Sequence, residues 1–274
     1  MAAMTAITRD HGDLEHMPDW NPNLYLKFSG QRARPAEDLV AQIALKDLAR
    51  IIDLGCGTGN STEQLHRRWP RAELTGLDNS AEMLVQARSR HPDWKWIDST
   101  VEAWQPEIAY DLVFSNACLH WVKDHGVVFP RLFSHVAPGG ALAVQMPNSF
   151  HTPAHTLMKE VSQAPGMPWS GKLAPASETY FIQPVDFYYH ALRRQASLLN
   201  IWETEYLQIM DGPRAVLDWV RGTAMRPYLD GLPNDEQRRL FEERCLERFQ
   251  EPYRADDQGK TLFPYRRMFI VAYR

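Results

Sequence analysis

Residues 51–61, IIDLGCGTGNS, run from an apolar stretch straight into glycines at alternate positions, Gly55, Gly57 and Gly59. A short apolar run closed by glycines reads as a buried strand ending in a tight loop. Glycine tolerates left-handed backbone and lets the main chain come close to a ligand. In a doubly wound sheet the loop after the first strand lies at the carboxyl edge, where ligands bind. A dinucleotide fingerprint spaces its glycines G-x-G-x-x-G, but here that third position is Asn60. Asp53 sits inside the strand, two residues before the loop. A buried carboxylate there needs hydrogen bonds from the loop amides or a cationic ligand. Both features argue against an anionic pyrophosphate and for a cationic nucleoside.

The surrounding pattern fits such a sheet. From about 35 to 150, helical and strand-like segments alternate: PAEDLVAQIALKDL opens on a proline at an expected first turn, and RIIDLG follows as a strand. STEQLHRRWP, SAEMLVQARSRHP and VVFPRLFSHVAPGG read as helices, the last ending in a Pro-Gly-Gly turn. AELTGLD, WKWIDST, YDLVFSNA and ALAVQMP read as strands between them. Strict alternation implies a parallel sheet with helices on both faces. After Pro147 come further helices at PAHTLMKEVSQ, DFYYHALRRQA, PRAVLDWVRGTAM and NDEQRRLFEERCLERFQEPY, with strands at IWETEYLQIM and FPYRRMFIVAYR. The expected fold is therefore α/β: a doubly wound, mostly parallel, seven-stranded, Rossmann-like sheet with helical cover segments. It reads as one domain over 1–274, with an N-terminal cover (1–34), a cofactor-binding core (35–147) and a substrate cover with closing strands (148–274).

Composition narrows the partners. The net charge is −4, with Lys and Arg spread along the chain. Nucleic acids and membranes both favour a concentrated basic face, so neither is expected as a partner. The first twenty residues lack the basic start and apolar stretch of a secretory signal and read as a polar lead-in. Cys56, Cys118 and Cys245 are odd in number and have no CxxC spacing, so neither a disulfide framework nor a metal site is suggested. A cytoplasmic setting is the default.

With Asp53 and the alternate glycines, residues 51–150 resemble the class I S-adenosylmethionine-dependent methyltransferases, whose first motif is an acidic residue followed by G-x-G-x-G. The resemblance implies S-adenosylmethionine as methyl donor and S-adenosylhomocysteine as product. On it, Asp53, Gly55, Cys56 and Gly57 form the donor loop, with Cys56 there for its small size. Asp78 and Asn79 end the second strand, where Asp78 would accept from the ribose hydroxyls. Either Asn79 or Ser80 is then left to cap the next helix. Met83 would lie against the adenine or in the core, and Asn116 would line the methionine end. After the third strand this chain has Thr100, with Asp98 two places earlier, where the family usually has an acidic residue for the adenine amino group. Thr100 and the backbone of Val101 are expected to replace it.

No Ser–His–Asp order or HExxH helix appears, and SNACLHW stands where nucleic-acid methyltransferases carry [DN]PP[YF]. WNPNLYLKFSGQRARPAEDLVAQI, SNACLHWVKDH, LAVQMPNSFHTPAH and DWVRGTAMRPYL together resemble the bacterial trans-aconitate methyltransferase family. That resemblance implies methyl transfer to one carboxylate of a small polycarboxylate. A carboxylate is already ionised at neutral pH, so no general base is expected, only positioning and exclusion of water. Spare carboxylates need cationic or hydrogen-bonding readers. The candidates are Tyr25, His120, Trp121, His151, Arg226 and Tyr228 for the substrate, and Arg32 for the methionine carboxylate. Alternatives are another small acid, a hydroxyl or an amine as acceptor, or a non-catalytic cofactor-binding module.

Overall fold

The computed structural model describes residues 29–173 and 180–274, with side chains from residue 33 on. Helix α1 (Ser29–Gln42) is followed by β1 (Arg50–Leu54), α2 (Asn60–Arg68), β2 (Glu73–Asp78), α3 (Ala81–Arg90) and β3 (Lys95–Asp98). Then come β4 (Tyr110–Asn116), a 3₁₀ turn (Leu119–Trp121), α4 (His125–Ser134), β5 (Val136–Pro147) and α5 (Pro153–Gln163). The chain closes with α6 (Val185–Leu192), β6 (Leu198–Met210), α7 (Gly212–Arg221), α8 (Arg226–Asp230), α9 (Asp235–Phe249) and β7 (Thr261–Tyr273).

The strands form one seven-stranded sheet in the order β3-β2-β1-β4-β5-β7-β6. All pairings are parallel except those of β7, which runs antiparallel to both β5 and β6. Strand order reverses between β1 and β4, and the glycine loop leaves β1 at that point, where open α/β sheets bind ligands. Strand side chains alternate between faces, and this sorts the core into two layers. Ile51, Leu112, Phe114, Ala143, Phe269 and Val271 pack with α1, α2, α5, α7 and α9. Ile52, Leu54, Val113, Val144 and Ile270 pack with α4 and α6 on the other face. Near the ligand edge of the first face the apolar pattern stops: Asp53, Asn116, Gln145 and Arg267 occupy the next positions of the same alternation. In α9 the wholly buried Phe241, Cys245 and Phe249 form an apolar stripe at a spacing of four, so the charged run is an ordinary amphipathic helix.

Two local expectations are corrected. Pro35 lies inside α1, which starts at Ser29 and ends at Gln42, so it does not open a helix through Leu48. The Pro138-Gly139-Gly140 stretch is not a turn after a helix but the kinked start of β5, whose pairing with β4 shifts register between Tyr110 and Leu112. No described helix is long and apolar enough to cross a membrane.

Candidate active site

The glycine loop closes back onto β2: the Gly55 and Cys56 amides both donate to the Leu77 carbonyl, at 2.7 and 3.0 Å. Gly55 has φ +73°, and a Cβ there would lie 2.3 Å from the Cβ and Sγ of Cys118, so no larger residue fits between loop and β4. Gly57 also has positive φ, but a Cβ there would meet nothing within 4 Å. That side of the loop is open. Cys56 is buried, and burial pushes its thiol well above the ordinary range, as expected of a small filler.

Asp78 does two jobs at the loop. Its Oδ2 accepts from the Gly57 amide at 2.8 Å and its Oδ1 from the Ser80 amide at 2.9 Å. Ser80 caps α3 by accepting from the Met83 amide, which frees Asp78 from capping. Asn79 is exposed beside it, and Met83 is half-buried and belongs to neither core layer.

Asp53 departs from expectation. Its partners are not loop amides but the hydroxyls of Ser61 and Thr62 in the first turn of α2, both donating to Oδ2 at 2.7 Å. The first turn of α2 packs close enough to the end of β1 for the shorter path to win. Its Oδ1 is buried without a hydrogen-bond partner. Burial pushes the carboxyl up to about 6, against the two hydroxyl bonds that lower it, while the nearby Asp78 raises it further.

After β3 the Thr100 hydroxyl accepts from the Ala103 amide at 3.1 Å and so serves the local turn. Val101 has its side chain in the core, and its carbonyl accepts from Arg131, which also holds Trp104. Asp98 is exposed at the end of β3, in register with Asp78. Asn116 ends β4 beside Gln145 of β5, and its buried Oδ1 has no partner.

An aromatic group stands over these strand ends. His120 and Trp121 lie in the 3₁₀ turn with ring centroids 4.8 Å apart. Tyr180 stacks on His120 at 5.7 Å, lies 4.7 Å from Trp121 and 4.4 Å from Phe150. His155 meets Phe150 edge-on at 5.2 Å. The segment carrying Tyr180 is pinned there because the Phe181 amide donates to the His120 carbonyl at 2.9 Å. Behind the turn, His125 Nε2 donates to the Leu119 carbonyl at 2.9 Å, and its Nδ1 pairs with the Tyr188 hydroxyl at 2.7 Å.

Arg267 of β7 supplies the cationic character. Its guanidinium lies 5.3 Å over the Tyr265 ring and acts electrostatically on both His120 and His155. Burial first, and Arg267 second, hold His120 well below its ordinary value and bring His155 down to about 4. Both imidazoles are therefore neutral at physiological pH. His120 Nδ1, like both ends of the Gln145 amide, is buried without a hydrogen-bond partner.

Of the remaining candidates, Tyr228 and His151 border this group, while the others pair elsewhere or lie outside the described residues. Tyr228 is buried, its ring stacked on Phe241 at 5.4 Å, with its phenol near enough to Tyr180 to oppose that residue's ionisation. Arg226 faces Asp230 at 3.9 Å. His151 is exposed and lines a shallow cavity of about 340 Å³ with Arg248 and Glu251, although it lies close enough to oppose His155 protonation. Tyr25 and the Arg32 side chain lie outside the described residues. Sequence reasoning missed Gln145, Phe150, His155, Tyr180 and Arg267. The strand alternation that puts Gln145 on the face of Asn116 was the available signal.

A family described as "Methyltransferase domain" matches residues 51–140, from β1 to the start of β5. The chain is 43% identical over 260 residues to a protein of Azoarcus sp. named trans-aconitate 2-methyltransferase, covering 94% of this chain and 100% of the relative. It is 42% identical to a protein of that name from Klebsiella pneumoniae, covering 93% and 98%. Among solved structures it resembles a Haemonchus contortus phosphoethanolamine N-methyltransferase in complex with S-adenosyl-L-methionine, at TM-score 0.53 and 17% identity, over 89% of this chain and 52% of that one. Near-full-length identity above 40% carries the glycine loop, the late cover segments and the closing strands together, and the chain belongs to the trans-aconitate 2-methyltransferase family.

Proposed function

We propose that this chain is an S-adenosylmethionine-dependent carboxyl O-methyltransferase that converts one carboxylate of trans-aconitate to its monomethyl ester, working as a cytoplasmic domain on a small polycarboxylate. The observation that carries the reading is the row of buried, unpartnered polar atoms on Asn116, His120 and Gln145 beside the Arg267 guanidinium. Buried polar groups of finished folds are bonded, so such a row marks where a polar ligand belongs. An acceptor rich in carboxylates matches the free N–H of the Gln145 amide and the Arg267 cation within that row.

The donor group fits the loop edge. Gly57 leaves room above the backbone, Asp78 keeps lone pairs beyond its two amide contacts, and Asn116 Oδ1 awaits a donor. Asp53, Gly55, Cys56, Gly57, Asp78, Asn79, Met83, Thr100, Val101 and Asn116 would hold it, with Asp78 toward the ribose and Asn116 toward the methionine end. When bound, it supplies a methyl group on a positively charged sulfur. The protein's part is to fix the acceptor. His120, Trp121, Phe150, His155 and Tyr180 wall off water, and Arg267 holds a carboxylate that stays charged. The neutral His120 moves no proton, because an ionised carboxylate has none to give up at neutral pH. Arg226 and Tyr228 belong to the cover over this edge.

The test is methyl transfer from S-adenosylmethionine to a panel of small di- and tricarboxylic acids, with monocarboxylic acids, a phenol and an amine as controls. Transfer to trans-aconitate well above the controls supports the reading. Preferential transfer to the phenol or amine overturns it.

A further inference from the structure

Gln145 is wholly buried at the ligand edge of β5, and neither its amide nitrogen nor its carbonyl oxygen has a hydrogen-bond partner. Its register partner on β4 is Asn116, and two residues further on Cys118 packs against Gly55 of the glycine loop. On the other side β7 places Phe269 opposite Gln145, while Arg267 lies two residues along, opposite Pro147. Asp53, Asn116, Gln145 and Arg267 share one face of the sheet. Across it the order is therefore donor loop, neutral amides, cation. Leaving a buried amide unmade at both ends is costly, and a strand interior offers many apolar residues that would avoid the cost.

We propose that Gln145 positions the acceptor by gripping the reacting carboxylate: its Nε2 donates to the oxygen that does not take the methyl, while Arg267 holds a second carboxylate. The assignment rests on the carboxyl-transfer reading above. Its logic lies in where charge disappears. As the acceptor oxygen forms its bond to the methyl carbon and the carbon–sulfur bond breaks, the carboxylate loses its negative charge. A guanidinium bonded to that same carboxylate would stabilise the charged ground state more than the transition state and would slow the step. A neutral N–H binds the carboxylate before transfer and the ester carbonyl after it, so it orients without that penalty. A cation does no such harm on a carboxylate that keeps its charge throughout. Gln145 on β5 lies one strand nearer the glycine loop than Arg267 on β7, which matches this division.

The experiment compares wild type with Gln145→Leu, Gln145→Glu and Arg267→Gln on a tricarboxylic and a monocarboxylic acid, and measures S-adenosylhomocysteine binding by calorimetry. Gln145→Leu should lower kcat/KM by about 10- to 100-fold, the range for a hydrogen bond to a charged group, on both acids and with kcat itself reduced. Gln145→Glu keeps the shape but sets a negative charge against the acceptor, so its loss should be larger on both. Should Gln145→Leu not fold, the isosteric Gln145→Glu tests the same contact on its own. Arg267→Gln should raise KM for the tricarboxylic acid far more than for the monocarboxylic one. S-adenosylhomocysteine affinity should stay within about twofold of wild type in both Gln145 variants, which also shows that they are folded.

Variants at Gln145 with kcat/KM within threefold of wild type on both acids would overturn the assignment. So would a loss confined to the tricarboxylic acid, or a fall in S-adenosylhomocysteine affinity matching the kinetic loss, which would make Gln145 part of the donor pocket. Those results leave carboxyl transfer standing. A wild type that methylates no acid removes both.

Discussion

Replacing Asp53 by asparagine tests the energetics of the glycine-loop strand directly. The carboxyl is fully buried, with two hydroxyl donors on one oxygen and none on the other, and burial lifts it from 3.8 to about 6. The unfolded chain gives up this proton near 3.8, whereas the folded chain keeps it until about 6. Between those values the native state binds more protons than the unfolded one, so stability falls as pH rises and levels off above the folded value. A gap of 6 − 3.8, about 2.2, corresponds to about 3 kcal/mol at 1.36 kcal/mol each, of which about 2 kcal/mol falls above pH 4.5. Asparagine keeps an acceptor for Ser61 and Thr62 and cannot ionise. Urea unfolding without ligand should therefore show Asp53→Asn gaining about 2 kcal/mol on wild type between pH 4.5 and pH 8. The comparison must be ligand-free, because a bound donor would add its own stabilisation to the native state. Parallel stability profiles for the two proteins over that range would refute the reasoning and make the Asp53 environment effectively polar.

Three further outcomes are expected. Gly55→Ala should destabilise by roughly 1–2 kcal/mol for left-handed backbone plus roughly 1–3 kcal/mol for the overlap with Cys118; Cys118→Gly in the same chain should recover only the second part in thermal unfolding. Asp78→Ala should weaken S-adenosylmethionine binding by roughly 1.5–3 kcal/mol in calorimetry, and unchanged affinity would remove Asp78 from the donor site. The transfer step in single turnover at saturating substrate should stay flat from about pH 6.5 to 9, since a carboxylate acceptor is ionised throughout and His120 is held neutral. His120→Asn should lower that rate without altering the profile's shape, and a tenfold rise across the histidine range abolished by the substitution would point to a base and a different acceptor.

The fold was legible because its signals are local. Alternating periodicities and the break at Gly55 announce β1 and the parallel half of the sheet, and the acidic residue at the end of β2 follows from the same order. The glycine loop was legible for the same reason. Asp53 was only half legible: its burial could be read from the strand, but its partners lie eight and nine residues on, in a helix whose packing angle no local pattern encodes. The acceptor side was harder. Tyr180 reaches His120 only because Phe181 bonds the His120 carbonyl across sixty-one residues of chain. In the sequence Arg267 is one of two adjacent arginines in a strand, and only register tells which of them faces the site. Arg226, held beside a proline, instead faces Asp230.

The antiparallel insertion of β7 explains why the cation comes from there. Parallel strands bring their carboxyl ends to the ligand edge, so β1, β2 and β4 contribute Gly55, Asp78 and Asn116 from positions where each strand stops. β7 runs the other way and brings its earlier residues to that edge. Its pairing with β5 covers Arg267–Tyr273, whereas its pairing with β6 extends on to Thr261. Residues 261–266 with their β6 partners therefore overhang the sheet as a two-stranded wall, and Arg267 stands at its foot. On the first face that wall is packed against α7 through Tyr206, Trp219, Phe263 and Tyr265, with the Tyr265 ring meeting the other three and Trp219 also meeting Phe263. An arginine set on such a base, with its guanidinium over Tyr265, loses little further side-chain freedom when it meets a carboxylate. A cation on a mobile loop would give up more of its affinity to ordering. The extension that makes β6 and β7 longer than the strands beside them is thus the element that fixes the Arg267 guanidinium relative to the glycine loop.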